Sequence, residues 1–254
     1  MRLIPIAIGS NKQFKISNIK HLVMKISTAL VNRKSILSLT IAMAIGTASM
    51  AQLSIGVHAT GNLSSANTTM ENLPGEVKKT ARVLPGAGVL VEYAVSNNFS
   101  LQSGANYRKN GVVLKFDLPV EGTVLNVKMT SDLNYIQVPL NFIYKTNGSP
   151  VQFFAGAGPY AGIGISGKNN IQGTVDGGTI ILDEEVDAFK KEEDGGAGMK
   201  KFDFGAQALA GIRFGKYYAV VSYEAGFTNL TKSEGSNEKY NNRGAQLTLG
   251  YIIK

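Results

Sequence analysis

The stretch KFDFGAQALAGIRFGKYYAVVSYEAGFTNL, residues 201–230, decides the fold, and NRGAQLTLGYIIK, residues 242–254, repeats its pattern. Read with a period of two, Phe202, Phe204, Ala206, Ala208, Ala210, Ile212 and Phe214 share one face. Asp203, Gly205, Gln207, Leu209, Gly211 and Arg213 share the other. Gly215-Lys216 reverses the chain, and the alternation resumes through Ala219, Val221, Tyr223 and Phe227, then through Leu247, Leu249, Tyr251 and Ile253. Side chains alternate across a strand, so these runs predict antiparallel strands with one apolar and one polar face. Their length of about ten residues is what a tilted strand needs to cross a bilayer.

Composition narrows the classes. The chain has 254 residues and no cysteine, which excludes a disulfide framework and thiolate metal sites. The formal charge of +8 suggests a nucleic-acid partner, but its distribution argues against one. Residues 1–51 hold seven basic residues and no acid, so the remaining chain keeps 19 basic against 18 acidic residues. The basicity belongs to the leader. That leader has the layout of a helical signal peptide: Lys25, Arg33 and Lys34, then the apolar run Ile36–Met50, then small residues at Ala48-Ser49-Met50-Ala51. The run is shorter than the ~20 residues of a spanning helix. Cleavage is expected after Ala51, translation from Met24, and export of a mature domain over 52–254.

From Gln52 onward the sequence predicts eight strands. They begin with Leu53–Ala59, Val83–Val95, Phe99–Lys115, Asp132–Lys145 and Val151–Gly167, and end with the three described above. Long connections (60–82, 117–130, 168–200, 231–242) alternate with short turns (96–98, 146–150, 215–216), although VEGTV at 120–124 can extend its hairpin. This asymmetry predicts an all-β, eight-stranded antiparallel up-and-down transmembrane β-barrel, with short periplasmic turns and long outer loops. A soluble barrel of the lipocalin kind shows the same alternation with the apolar face inward. Charge placement decides against it. The polar faces of the strands are mainly glycine, serine, asparagine and glutamine, as suits a crowded lumen, and Tyr144, Phe202, Phe204, Phe214, Tyr217 and Tyr251 lie near strand ends like membrane girdles.

YIQVPLNFIYK (135–145), FFAGAGPYAGIGISGK (153–168), and the two quoted stretches from 203 onward resemble the "porin family" outer-membrane barrels common in Bacteroidetes. The resemblance covers most of 52–254. It implies an eight-stranded barrel in the bacterial outer membrane, in contact with outer-membrane lipid and delivered by the barrel-assembly machinery. It implies no settled activity. Such barrels usually finish on an aromatic residue, whereas this chain ends Tyr251-Ile252-Ile253-Lys254.

Motifs for chemistry are sparse. GAGPYAG (156–162) is glycine-rich like a phosphate loop, but strand alternation surrounds it where a helix N-terminus is required. The acids of 183–194 lack a calcium-ligand spacing and read as a solvated outer loop. His58 is the mature chain's one histidine and stands without an acid–nucleophile pair, so no catalytic residue, cofactor or metal site is expected. The candidate constellation is internal. Glu92, Arg108, Gln137, Arg213 and Glu224 fall on polar faces, and an eight-stranded lumen has room for side chains but not for a wide channel. Charges placed there must pair or stay hydrated, which predicts a Glu/Arg network. The function expected is structural or surface-interactive, with an extracellular ligand meeting loops 60–82 and 168–200. The alternative is a narrow porin-like passive channel.

Overall fold

A computed structural model describes residues 52–69, 77–120, 123–148, 150–175, 179–231 and 238–254. The leader 1–51, with its expected start and cleavage positions, lies outside the described residues. The described residues form nine strands: β1 Leu53–Thr69, β2 Lys78–Ala94, β3 Phe99–Val120, β4 Thr123–Lys145, β5 Val151–Val175, β6 Thr179–Asp187, β7 Phe202–Phe214, β8 Tyr217–Gly226 and β9 Lys239–Ile252. Eight of them close a ring in the order β4-β3-β2-β1-β9-β8-β7-β5, sealed by the β4–β5 pairing. Every pairing is antiparallel. The ninth strand, β6, stands outside the ring and pairs with β5 alone.

The wall is inside-out relative to a soluble domain. On β1, Asn62 and Ser64 are 1% and 0% exposed while Leu63 between them is 49% exposed. The outward apolar positions of the other strands, such as Val138, Leu140, Phe142, Ile212, Leu247 and Leu249, are exposed in the same way. A surface of this composition is stable only against hydrocarbon. Aromatic pairs mark its two edges. Phe99 meets Tyr144 with ring centres 5.3 Å apart, and Tyr217 meets Tyr251 at 5.2 Å, at the short-turn end. Phe204 meets Phe227 at 6.3 Å at the other.

Beyond that second edge the expected loops are largely sheet. The connection expected at 60–82 is mostly strand: β1 continues to Thr69 on the edge of β9, and Ser64 pairs with Arg82 of β2. The connection at 117–130 is a continuous β3–β4 hairpin. The one at 168–200 begins with the extension of β5 and includes β6, so Asp183, Glu184, Glu185 and Asp187 lie on a strand. The 23-residue β4 extends about 75 Å along its path at ~3.3 Å per residue, more than twice what ~9–11 membrane-crossing residues provide. The outer halves of β2, β3, β4 and β5, with β6, therefore form a sheet standing clear of the apolar belt.

Candidate functional site

The lumen is filled in layers. At the short-turn end, Leu90, Tyr218, Val220 and Ile252 pack together. Beside them Lys145 Nζ donates to Glu92 Oε1 at 2.6 Å, and Ser100 Oγ donates to the same oxygen at 3.3 Å. The Tyr218 hydroxyl lies 3.2 Å from His58 Nδ1, so the histidine is held by a phenol and not by a carboxylate.

Above this layer comes an amide belt. Gln207 Nε2 donates to Asn141 Oδ1 at 2.9 Å, and Asn141 Nδ2 donates to Gln102 Oε1 at 3.2 Å. Next stands the Arg108 guanidinium, which pairs with Glu224 and donates to Gln137 Oε1 and Asn62 Oδ1, each at 3.3 Å. Gln246 Nε2 reaches Glu224 Oε2 at 3.4 Å from the adjacent strand β9. Arg108 and Glu224 are 5% and 2% exposed. The cavity between these layers is about 70 Å³, small but able to hold water.

The long-loop end is sealed by the segment that follows β6. Ala188, Phe189 and Met199 turn into the mouth and pack with Val112, Leu133, Tyr135 and Leu230. The Phe189 ring stands edge-on to Tyr135, with centres 5.8 Å apart. Two inward glycines make the socket, because a Cβ on Gly164 would collide with the Phe189 ring, and one on Gly167 would sit 2.9 Å from Ala188 Cβ. A larger recess of about 540 Å³ lies on the membrane face, over Ala155, Ala210 and Ala219, and is open to the outside of the wall.

Of the five residues singled out from sequence, Arg108, Gln137 and Glu224 come together. Glu92 sits in a separate layer with Lys145. Arg213 is half-buried next to the β7–β8 turn, where it borders the Glu92–Lys145 layer without an ion pair among the described residues, and its Nε donates to the Gly215 carbonyl at 3.1 Å. Sequence reasoning missed Lys145, Asn62, Asp203 and the Phe189 cap. Lys145 shares the inward parity of Gln137 and Asn141 along β4, which was the available signal.

Among solved structures the chain is similar to the outer membrane protein OprG from Pseudomonas aeruginosa, at 13% identity over 79% of this chain and 94% of that one, with a TM-score of 0.40. It is also similar to Ail, the attachment invasion locus protein of Yersinia pestis, at 13% identity over 79% and 97%, with a TM-score of 0.36. Neisserial surface protein A follows at 11% identity over 79% and 96%, with a TM-score of 0.35. A sequence comparison with curated proteins finds no match. The family described as "Outer membrane protein beta-barrel domain" matches residues 50–232, most of the chain. With the closed eight-strand ring and its apolar belt, that match identifies the chain as a member of the outer membrane protein β-barrel domain family, a small barrel of the bacterial outer membrane.

Proposed function

We propose that this barrel works outside the membrane, as a closed pedestal for a surface-interaction sheet, and does not pass solutes. The observation that carries the reading is the layered closure of the lumen. A solute entering from outside would have to displace the Phe189 cap, then break the buried Arg108–Glu224 pair, then pass Lys145–Glu92 and the Leu90–Tyr218–Ile252 cluster. An eight-stranded barrel has no spare cross-section around such side chains.

The outer sheet supplies the surface. Lys78 is in register with Lys115, and Lys115 with Lys128, so three exposed lysines stand side by side on β2, β3 and β4. None of the three is in an ion pair among the described residues. They border a recess of about 430 Å³ that also includes Asp117 and Gln172. Like charges directly opposite one another across strands are destabilising, which favours a polyanionic partner such as a phosphorylated or sulfated glycan.

Single-channel recording of the purified protein in a planar bilayer tests the reading. Insertion with a silent trace is the expected result. Reproducible conductance steps would replace it with the passive-channel reading.

A further inference from the structure

The pair Asn-Gly occurs twice in the chain, at Asn110-Gly111 and Asn147-Gly148, and the fold treats the two in opposite ways. Asn110 lies on β3 within the wall and is 4% exposed. Its Oδ1 accepts from Asn62 Nδ2 at 3.0 Å, and the Gly111 main-chain nitrogen donates to Ser64 Oγ at 2.8 Å. The ladder to Leu133 and Asp132 of β4 fixes the backbone between them.

Asn147-Gly148 stands in the turn between β4 and β5, where both residues are exposed. The Asn147 side chain makes one hydrogen bond among the described residues, Nδ2 donating to Asn98 Oδ1 at 3.3 Å. Asn98 Nδ2 donates in turn to the Lys145 carbonyl at 2.8 Å, so an amide relay ties the β2–β3 turn to the β4–β5 turn. The Gly148 main-chain nitrogen has no hydrogen-bond partner among the described residues. Glycine is required there, because a Cβ at 148 would lie 2.4 Å from the Val151 main-chain oxygen. The turn thus keeps the one residue type that leaves its nitrogen unscreened.

Such a nitrogen, following an asparagine, can react with that residue's side chain. It gives up its proton and bonds to Asn147 Cγ, the Cγ–Nδ2 bond breaks, and ammonia leaves from a closed succinimide ring. Water then opens the ring. Addition at Cγ breaks the new C–N bond and leaves a carboxylate on residue 147. Addition at the main-chain carbonyl carbon breaks the original peptide bond instead, and the turn is lengthened by one carbon as an isoaspartyl link. We propose that Asn147 is a site of spontaneous deamidation by water in the folded barrel, and that the fold protects Asn110 from the same reaction. Asparagine is among the chemically labile residues, and here the turn selects which one reacts. The product sets a carboxylate oxygen against Asn98 Oδ1 where a donor stood, which removes a bond from the relay. It also adds an acid to the short-turn end, where the one acidic side chain among the described residues, Glu92, is already paired with Lys145. This does not depend on the surface role proposed above.

Peptide mapping by mass spectrometry tests it, on purified protein kept in detergent and heavy-oxygen water at mildly alkaline pH. Label is expected to enter the peptide holding residue 147 at least about 30-fold faster than the one holding residue 110, where two buried hydrogen bonds must first open. The rate at 147 should fall at mildly acidic pH, because the attacking nitrogen must lose a proton. In denaturant both sites should label at similar rates, which assigns the difference to the fold. Asn147→Gln, whose longer side chain forms the ring poorly, should leave that peptide unlabelled. Equal labelling of the two sites in the folded barrel overturns the inference. So does a residue 147 that labels in denaturant but not in the folded barrel.

Discussion

Replacing Glu224 with glutamine should expose how much the mid-lumen pair contributes. Arg108 and Glu224 are 5% and 2% exposed, so the pair belongs to the buried class. Breaking a buried pair by neutralising one member typically costs about 3–5 kcal/mol, against about 0–1 kcal/mol for a pair in water. Two features hold the expectation near the lower limit. Glutamine keeps the volume and can still accept from the guanidinium, and Asp203 also feels the Arg108 charge. We therefore expect Glu224→Gln to destabilise by about 3 kcal/mol. Arg108→Met leaves Glu224 with neutral partners, Gln246 and Tyr160, and should cost a similar amount. The double variant Arg108→Met/Glu224→Leu removes both charges at similar volume and should recover most of the loss, giving a coupling of at least about 2 kcal/mol. The protein has no tryptophan, so unfolding in denaturant is best followed by far-ultraviolet circular dichroism and by the gel-mobility difference between folded and heated barrel. A coupling below about 0.5 kcal/mol would mean that the two charges are solvated and that the lumen is wet at this level, refuting the argument for closure. Arg213→Ala is the built-in control. Its side chain lies at the short-turn end, six residues along β7 from Gln207, the register partner of Glu224, so it should show no coupling to Glu224.

Phe189→Ala should remove about 3 kcal/mol of local packing from the cap and make 188–200 the first site of proteolysis, while the bilayer trace stays silent because the lower layers persist. Gly164→Ala should produce the same protease sensitivity from the opposite wall, since its methyl takes the place of the Phe189 ring. If either variant resists protease as well as the parent does, the segment is held by contacts other than the socket. Lys115→Ala with Lys128→Ala should weaken binding of a sulfated polysaccharide several-fold and flatten its salt dependence. Unchanged, salt-insensitive binding would remove the lysine row from the partner surface.

The membrane-crossing half of the fold was legible because one face of each strand meets hydrocarbon. That contrast forces an apolar residue at every second position, as from Phe202 to Phe214, and the period can be read without any knowledge of pairing. Outside the belt the contrast ends. On β6 every residue except one is exposed, so Thr179–Asp187 carries no alternation and its acids read as loop. The outer part of β1 fails for a related reason. Past Leu63 its residues are small or polar, from Ser64 to Thr69, so the stretch looks like a solvated connection.

The site was harder to read, because strand parity fixes the face of a side chain but not what it meets at its height. Arg108 and Arg213 have the same inward parity. The first lies ten positions along β3, bonded to amides from two other strands, while the second is one residue short of the strand end and donates to the Gly215 carbonyl. Lys145 closes the other side of the comparison. It ends β4 as Arg213 nearly ends β7, yet it is ion-paired, because Glu92 stands within reach of its ammonium and its long apolar stem can lie along the wall. Two cations near strand ends thus differ in partner, a carboxylate for Lys145 and a main-chain carbonyl for Arg213. That pairing is set by shear around the barrel, a quantity no single strand records. Asp203 is the same lesson with the sign reversed: its parity is plain, but its neutral partners, Tyr160 of β5 and Asn242 of β9, emerge only once those strands are brought around it.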